Sequence, residues 1–205
     1  MRIRWAMLTL LAVTLFDTGS TFARPQPGDI GVFANPEGTV SRIVAPPYET
    51  FEIFVLAWSP PGGMAEFEFR AEFGDPAPII VVAELGQPKP EEWYNLTTAP
   101  DYIIVMASCL APSGGWVQLL RFECIYLIAE PPSDVTVCVR GTSAHSRFDP
   151  PVAGYQQCDD SLAPFTFAQN GGVYPRGCGV INATSPTEYP IATKRTSWSR
   201  LRSRF

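Results

Sequence analysis

A strict alternation of apolar and charged residues between Ala65 and Phe73 constrains the fold more than any other feature of this sequence. Alanine or phenylalanine occupies every odd position of this segment, and glutamate or arginine occupies every even position. Successive side chains of a β-strand point to opposite faces, so an extended chain places all the apolar side chains on one face. A helix would distribute the same phenylalanines around its axis. The pattern therefore predicts a half-buried strand, with Phe67, Phe69 and Phe73 in the core and the charged side chains in water.

Short β-strands separated by turns are predicted for the rest of the chain between about residue 28 and residue 183. The 205 residues include 21 prolines and 16 glycines, which break helices and leave little room for long ones. Residues 141–165 are polar and are expected to be irregular. Further apolar segments bounded by turn residues are predicted strands, with a bulge or bend in the longest: 30–34, 39–44, 51–58, 79–84, 93–96, 102–108, 116–128, 135–140, 165–167 and 180–182. The pattern predicts an all-β fold, an antiparallel β-sandwich or jelly roll of about 8–10 short strands.

The first 23 residues have the pattern of a cleavable signal peptide. Arg2 and Arg4 supply a positive start, and residues 5–16 are uncharged and apolar. Thr21 and Ala23 are the small residues expected just before a cleavage site. The apolar segment is too short to span a bilayer comfortably, and no later segment reaches the required length. We therefore expect a secreted, periplasmic or cell-surface protein with no transmembrane span.

The rest of the chain divides into a predicted sandwich domain, residues 24–183, a linker, residues 184–193, and a basic tail, residues 194–205. The tail contains five basic residues and no acidic residue, whereas residues 24–193 contain 8 basic and 19 acidic residues. An acidic body repels phosphate groups, so we expect no nucleic-acid partner.

The tail has the composition of a short docking or sorting element. If a helix begins at Ser197, then Trp198, Leu201 and Phe205 share one face opposite the arginines. Such a face suits an acidic partner or an anionic membrane surface. The alternative is a frayed, charged chain end.

Five cysteines lie in the part of the chain that would be exported, where disulfides persist. Because five is odd, at least one thiol is left unpaired within one chain. Cys158 and Cys178 flank a segment that contains Pro and Gly, and we expect them to pair first. Cys124 and Cys138 lie on adjacent predicted strands and form the second expected pair, which leaves Cys109 as a small buried hydrophobic residue. The sequence has no CxxC and a single histidine, so no zinc site is predicted.

The predicted strands follow one another in an informative order. FEIFVLAW is followed by GGMAEFEFRAEF, by Asp-Pro and by IIVVAEL; further on, YIIVMAS, a Gly-Gly turn and WVQLLRFECIYLI precede VTVCV. Over about residues 28–141 this order resembles the secreted bacterial cohesin modules, in which a GxxxFxFxLxYDP strand and a later GxLLxLxF strand form much of the core. Cysteines are not part of that family pattern, and no duplicated calcium loop of the dockerin type is present. Cohesins bind dockerins and are not enzymes, so the resemblance implies a β-sandwich and a binding role, not a particular partner.

Candidate ligand-binding residues are the aromatic residues Trp93, Tyr94 and Trp116, which would stack on sugar rings if they were exposed. Asp149, Asp159 and Asp160 supply the oxygen atoms that Ca²⁺ prefers, although no D-x-D-x-D-G loop is present. We therefore predict no resident cofactor, with calcium as the one alternative.

Candidates for catalysis are few. His145 is the only imidazole, and no GxSxG motif is present. Glu66, Glu68 and Glu72 share one strand face at a spacing of about 7 Å, which is within the range of a glycosidase carboxylate pair. The alternation explains these glutamates better as a solvated outer face.

The sequence thus predicts a non-catalytic, secreted binding or structural module that interacts with an extracytoplasmic protein or another cell-surface component. The first alternative is a carbohydrate-binding module that uses exposed aromatic residues on a polysaccharide. The second is an extracellular hydrolase, for which the sequence contains no assembled set of catalytic groups.

Overall fold

Every regular element in the part of the chain that the structure describes is a β-strand. A computed structural model describes residues 25–43, 45–74, 79–86, 93–127, 135–142, 145–168 and 177–181. The strands within these ranges are β1 (Asp29–Phe33), β2 (Arg42–Ile43), β3 (Thr50–Trp58), β4 (Met64–Phe73), β5 (Ile79–Gly86), β6 (Trp93–Asn95), β7 (Asp101–Leu110), β8 (Trp116–Tyr126), β9 (Val135–Arg140), β10 (Gly154–Gln156), β11 (Leu162–Pro164), β12 (Thr166–Phe167) and β13 (Cys178–Ile181). Within the same ranges, no helix has the length and apolar character needed to cross a membrane.

The strands form a five-stranded and an eight-stranded sheet. The five-stranded sheet has the order β12-β1-β3-β8-β5. The eight-stranded sheet has the order β11-β10-β4-β9-β13-β2, and β7 pairs with β4 and also with β6. The pairs are antiparallel except β1 with β12 and β13 with β2. The predicted antiparallel sandwich is confirmed, although β10 and β11 lie in the region expected to be irregular, because strands of three residues leave no periodic signature.

The core lies between the two sheets and is rich in aromatic side chains. Phe67 and Phe69 of β4 are fully buried, and their ring centroids are 5.8 Å apart. Phe122 of β8 approaches from the five-stranded sheet, with its ring 5.9 Å from the rings of Tyr102 and Phe73. Phe73 is partly buried against the same core. The prediction that Phe67, Phe69 and Phe73 line the core is confirmed, and full burial of one such ring contributes about 1.5–3 kcal/mol.

Strand β8 contains the irregularity expected in the longest predicted strand. Leu120 lies opposite Val55 of β3, but the next residue of β3, Leu56, lies opposite Gln118. Leu119 is therefore an extra residue in β8, and the bulge allows both Leu119 and Leu120 to be buried.

The disulfides join cysteines in pairs other than those expected. Cys109 is bonded to Cys158 and Cys138 to Cys178, while Cys124 is a buried free thiol. The expected Cys158–Cys178 and Cys124–Cys138 bridges are therefore wrong, and Cys109 is not the leftover cysteine. Cys138 and Cys178 lie directly opposite each other on β9 and β13, whereas Cys124 belongs to the other sheet. Strand pairing decides the connectivity, and spacing along the chain does not reveal it.

Three predicted segments lie outside the described residues. They are the signal peptide, residues 1–23, the linker, residues 184–193, and the basic tail with Trp198, Leu201 and Phe205. Cleavage, secretion and tail docking stay predictions.

Candidate functional site

The outer face of the eight-stranded sheet carries a row of charged side chains. On β4, Arg70 lies opposite Asp101 of β7 on one side and Arg140 of β9 on the other. Directly opposed residues of paired strands project to the same face. Because Phe67 and Phe69 face the core, the even-numbered residues of β4 from Glu66 to Glu72 and their partners face outward.

These side chains hold one another through ion pairs. Arg70 Nη1 lies 2.9 Å from Asp101 Oδ2, and Arg70 Nε lies 3.5 Å from Glu72 Oε1. Arg140 Nε lies 3.7 Å from the other oxygen of Glu72. The Thr142 hydroxyl donates to Asp101 Oδ1 at 2.7 Å, and the side chain of Asp101 is only 13% exposed. A largely buried carboxylate thus anchors two arginines and a glutamate that stay one-third to one-half exposed.

An open groove of about 550 Å³ runs along this charged row. Arg70, Glu72 and Arg140 supply its polar wall, and Phe73 and Pro100 supply apolar surface. We call these five residues the β4–β9 groove. Its mixture of arginine, carboxylate and apolar surface suits a protein partner better than a small apolar ligand.

Sequence reasoning missed this groove. Arg70 and Glu72 were visible as members of the charged face of β4, and Arg140 as the end of the VTVCVR strand. The missing information was that β9 pairs with the second half of β4, which brings Arg140 next to Arg70. The local signals were the charged face of the predicted strand 65–73 and the basic residue at the end of the predicted strand 135–140.

Glu66 and Glu68 lie on the same outer face but are not solvated. They are 4% and 2% exposed, so the expectation of a fully solvated charged face is wrong for both. Arg147 Nη2 lies 3.0 Å from Glu66 Oε2, and the Arg147 backbone N–H donates to Glu68 Oε2 at 3.1 Å. The Ser146 hydroxyl donates to the other oxygen of Glu68. A chain segment from far along the sequence therefore covers this half of β4.

Burial has an electrostatic consequence for Glu66. Loss of hydration raises the pKa of the Glu66 carboxyl above its usual value of 4.5, and the negative charge of Glu68 acts in the same direction. The guanidinium of Arg147 opposes both influences. Ser146 and Arg147 belong to the covering segment and bind the carboxylates of Glu66 and Glu68. The two carboxylates are therefore not presented to a substrate as a glycosidase pair would be.

His145 lies in a different environment from the two glutamates. It is exposed, with a φ of 55° in the left-handed region that residues other than glycine seldom adopt. It lines a second groove of about 380 Å³ together with Asn95, Thr97 and Asp101. Asp101, which lines the same groove, accepts hydrogen bonds from Arg70 and from the Thr142 hydroxyl, one at each carboxylate oxygen.

The candidate sugar-stacking residues are divided between the two sheets. Tyr94 lies on β6 of the eight-stranded sheet and is 63% exposed. Trp116 lies on β8 of the five-stranded sheet and is half-buried, with its ring 4.7 Å from Phe33 and 5.2 Å from Trp58. The backbone of Trp93 belongs to β6, and its side chain lies outside the described atoms. Tyr94 and Trp116 therefore do not form a shared aromatic platform.

Two of the three aspartates considered for calcium, Asp159 and Asp160, make local hydrogen bonds. Asp159 Oδ1 accepts hydrogen bonds from the backbone and the hydroxyl of Ser161, which lower the pKa of the Asp159 carboxyl. Asp160 Oδ1 accepts a hydrogen bond from Gln156. Among the residues that the structure describes, Asp149, Asp159 and Asp160 form no three-residue group that could hold a metal ion.

Comparison with known proteins relates the chain to others by fold. No family model matches the sequence, and no curated protein matches it either. Among solved structures, the sixth cohesin of scaffoldin B from Acetivibrio cellulolyticus, in complex with the Cel5 dockerin, matches with a TM-score of 0.51 and 8% identity over 77% of this chain and 99% of that one. CaCohA2, a Clostridium acetobutylicum protein solved in complex with a CaDoc0917 variant, matches with a TM-score of 0.51 and 14% identity over 76% and 99%.

This chain has a cohesin-like fold. The resemblance that the order of predicted strands suggested is thus confirmed at the level of architecture. The two disulfides are an addition of this chain to the family pattern described from the sequence.

Proposed function

We propose that this chain is a non-catalytic, extracytoplasmic protein-binding module and that its partner binds over the β4–β9 groove. The cohesin-like fold supports a binding role, since the Acetivibrio cohesin with the same fold was solved in complex with a dockerin. The two disulfides support an oxidising compartment, as does the predicted signal peptide.

The observation that carries the proposal is that Arg70, Glu72 and Arg140 are ion-paired and yet partly exposed. Their ion pairs hold the three side chains in place, so ordering them against a partner costs little additional conformational entropy. They remain one-third to one-half exposed, so their charges are accessible. Arginine next to apolar surface is typical of the residues that dominate protein–protein interfaces.

The opposite outer face offers less for binding. Phe33, Phe54 and Leu56 project from the five-stranded sheet, and they are at most 5% exposed. With Ala168 and the partly buried Trp116 they form a small apolar cluster of their own. The apolar side chains on this face are therefore buried within the chain, whereas the β4–β9 groove is open.

Charge reversal at two matched arginines tests the proposal. Arg140, 38% exposed, pairs with Glu72 at 3.7 Å in the groove, and Arg121, 34% exposed, pairs with Glu52 at 3.3 Å on the opposite sheet. Wild type, Arg140→Glu and Arg121→Glu are immobilised and exposed to secreted proteins of the source organism. Mass spectrometry then identifies the proteins that each form retains.

The expected result is a protein retained by wild type and by Arg121→Glu but lost from Arg140→Glu. Circular dichroism of each variant confirms that the fold is intact. Equal retention by all three forms would place the binding surface elsewhere, and retention of no protein above the blank resin would contradict a binding module.

A polysaccharide is the second candidate ligand, favoured by one observation. Tyr94 exposes 63% of its surface on β6, near the groove formed by Asn95, Thr97 and His145. An exposed aromatic ring beside polar groups is a suitable surface for a sugar.

A glycan array tests this candidate. It is probed with wild type, with Tyr94→Ala and with the control Tyr48→Ala, which removes another exposed tyrosine. Signals lost only from Tyr94→Ala would support it, and arrays silent for wild type would remove it.

A further inference from the structure

The five cysteines occupy three different chemical situations. Cys138 and Cys178 are 6% and 0% exposed and lie inside the β9–β13 ladder. Cys124 is fully buried, and its loss of hydration raises the pKa of the thiol. Cys109 and Cys158, in contrast, are both exposed at one end of the sandwich. The last pair is thus the one whose residues are exposed to solvent, where a dissolved nucleophile can approach the bridge.

The exposed bridge joins two of the described elements that do not pair with each other. It links the end of β7 to the turn between β10 and β11, across 49 residues of sequence. Strand β10 pairs with β4 through three residues, and among the described strands β11 pairs with β10 alone. The β10–β11 hairpin is thus held to the rest of the fold by a short ladder, by Tyr155, which is 3% exposed in the core, and by this bridge.

The turn that carries Cys158 also rests on the turn between β3 and β4. The backbone N–H of Cys158 donates to the Gly62 carbonyl at 3.3 Å. Gly63 lies so close to Cys158 Sγ and the Leu110 carbonyl that a Cβ at this position would overlap with both. The bridge therefore lies where three chain segments meet and joins two of them covalently.

We propose that Cys109–Cys158 is a thiol–disulfide exchange site that opens to low-molecular-weight thiols while Cys138–Cys178 stays closed. A thiolate attacks one sulfur of the bridge, a mixed disulfide forms there, and the other cysteine leaves as a thiolate that takes up a proton. A second thiolate attacks the outer sulfur of the mixed disulfide and forms a disulfide with the first thiol molecule; the remaining cysteine leaves as a thiolate, takes up a proton, and both cysteines are then reduced. This inference does not depend on the proposed binding function.

Opening the bridge has a structural consequence on the outer face. Gln156 of β10 accepts a hydrogen bond from Arg147 at 2.9 Å, and the ring of Phe148 lies against Gly154. The hairpin therefore supports the segment that covers Glu66 and Glu68. A hairpin released from β7 loosens this cover, so the exchange site regulates how much of the outer face is accessible.

Timed alkylation tests the selectivity of exchange. The oxidised full chain is incubated with reduced glutathione without denaturant, quenched with N-ethylmaleimide at intervals and analysed by peptide mass spectrometry. We expect Cys109 and Cys158 to be labelled at least about tenfold faster than Cys138 and Cys178. Equal rates for the two pairs, or no labelling of Cys109 and Cys158, would overturn the proposal.

Hydrogen exchange tests the structural consequence. After reduction, amides of residues 154–164 are expected to exchange faster, while those of β9 and β13 keep their protection. A Cys109→Ala/Cys158→Ala double variant is the control, because it should match the reduced protein and show no change on addition of glutathione. Reduction that leaves residues 154–164 as protected as before would contradict the role assigned to the bridge.

Discussion

Arg147 forms an ion pair with Glu66, at 3.0 Å between Nη2 and Oε2, although 47% of the arginine side chain and only 5% of the glutamate side chain are exposed. The pair therefore has one buried and one hydrated member. The ion pair stabilises the fold mainly by compensating a carboxylate that has lost its hydration. An unpaired buried charge costs more free energy of folding than an exposed ion pair contributes.

Replacing Arg147 with alanine is expected to destabilise the fold by about 1–3 kcal/mol at neutral pH. The loss should be smaller in a Glu66→Gln background, where no buried charge remains. Urea denaturation of the four members of this double-mutant cycle gives the coupling free energy. An Arg147→Ala variant as stable as wild type would show that water already compensates Glu66.

The raised pKa of Glu66 predicts a pH dependence of stability. Because the folded-state pKa exceeds the unfolded value, the folded state binds more protons between the two values. The contribution of Glu66 is thus fully present below the unfolded pKa and is lost as pH rises through the folded pKa. Relative to a Glu66→Gln variant, wild type should become less stable as pH rises from about 4 to about 7.

Thermal midpoints of wild type and Glu66→Gln measured across this range check the sign. A difference that is constant with pH would mean that Glu66 titrates alike in the folded and unfolded states. A difference of opposite slope would mean that Arg147 outweighs the loss of hydration.

The inner face of β4 could be predicted from sequence because it depends on a local period of two. The burial of Phe67 and Phe69 follows from the alternation alone. The burial of Glu68 does not, since Ser146, which covers it, lies 78 residues further along the chain. Periodicity identifies two faces of a strand but not what packs on the second face.

The candidate site and the disulfides depend on strand register in the same way. Arg70 and Arg140 become neighbours because β4 pairs with β9, and Cys138 meets Cys178 because β9 pairs with β13. Each contact joins residues from distant parts of the sequence. Turn and strand signals predicted most of the elements, but they contain no information on which elements pair.

The close packing at Gly63 predicts a large effect of adding one methyl group. Gly63 has a φ of 75°, and Gly114 has a φ of 73° with no atom within 4 Å of the position of a Cβ. Alanine at either position costs about 1 kcal/mol of backbone strain. Only Gly63→Ala should also displace Cys158 and the Leu110 carbonyl, which adds about 1–3 kcal/mol.

Chemical denaturation of the two variants separates the effect of backbone strain from that of steric overlap, because Gly114→Ala introduces only the backbone strain. Equal losses for both would mean that the bridge and its turn move aside at little cost. Such a result would also weaken the argument that the bridge holds these segments together.

Cys124 provides a test of core chemistry that is independent of the bridges. Its side chain is fully buried in β8, and desolvation raises the pKa of the thiol, so we expect no reaction with N-ethylmaleimide in the native protein.

Substitutions of Cys124 test how the core tolerates a polar group. Cys124→Ala removes one sulfur atom from an apolar site and should lower the free energy of unfolding by about 1 kcal/mol. Cys124→Ser has nearly the same shape but buries a hydroxyl, so it should cost more, by about 1–2 kcal/mol. Urea denaturation of both variants measures the order, and a serine variant more stable than the alanine variant would show that a polar partner lies within reach of this position.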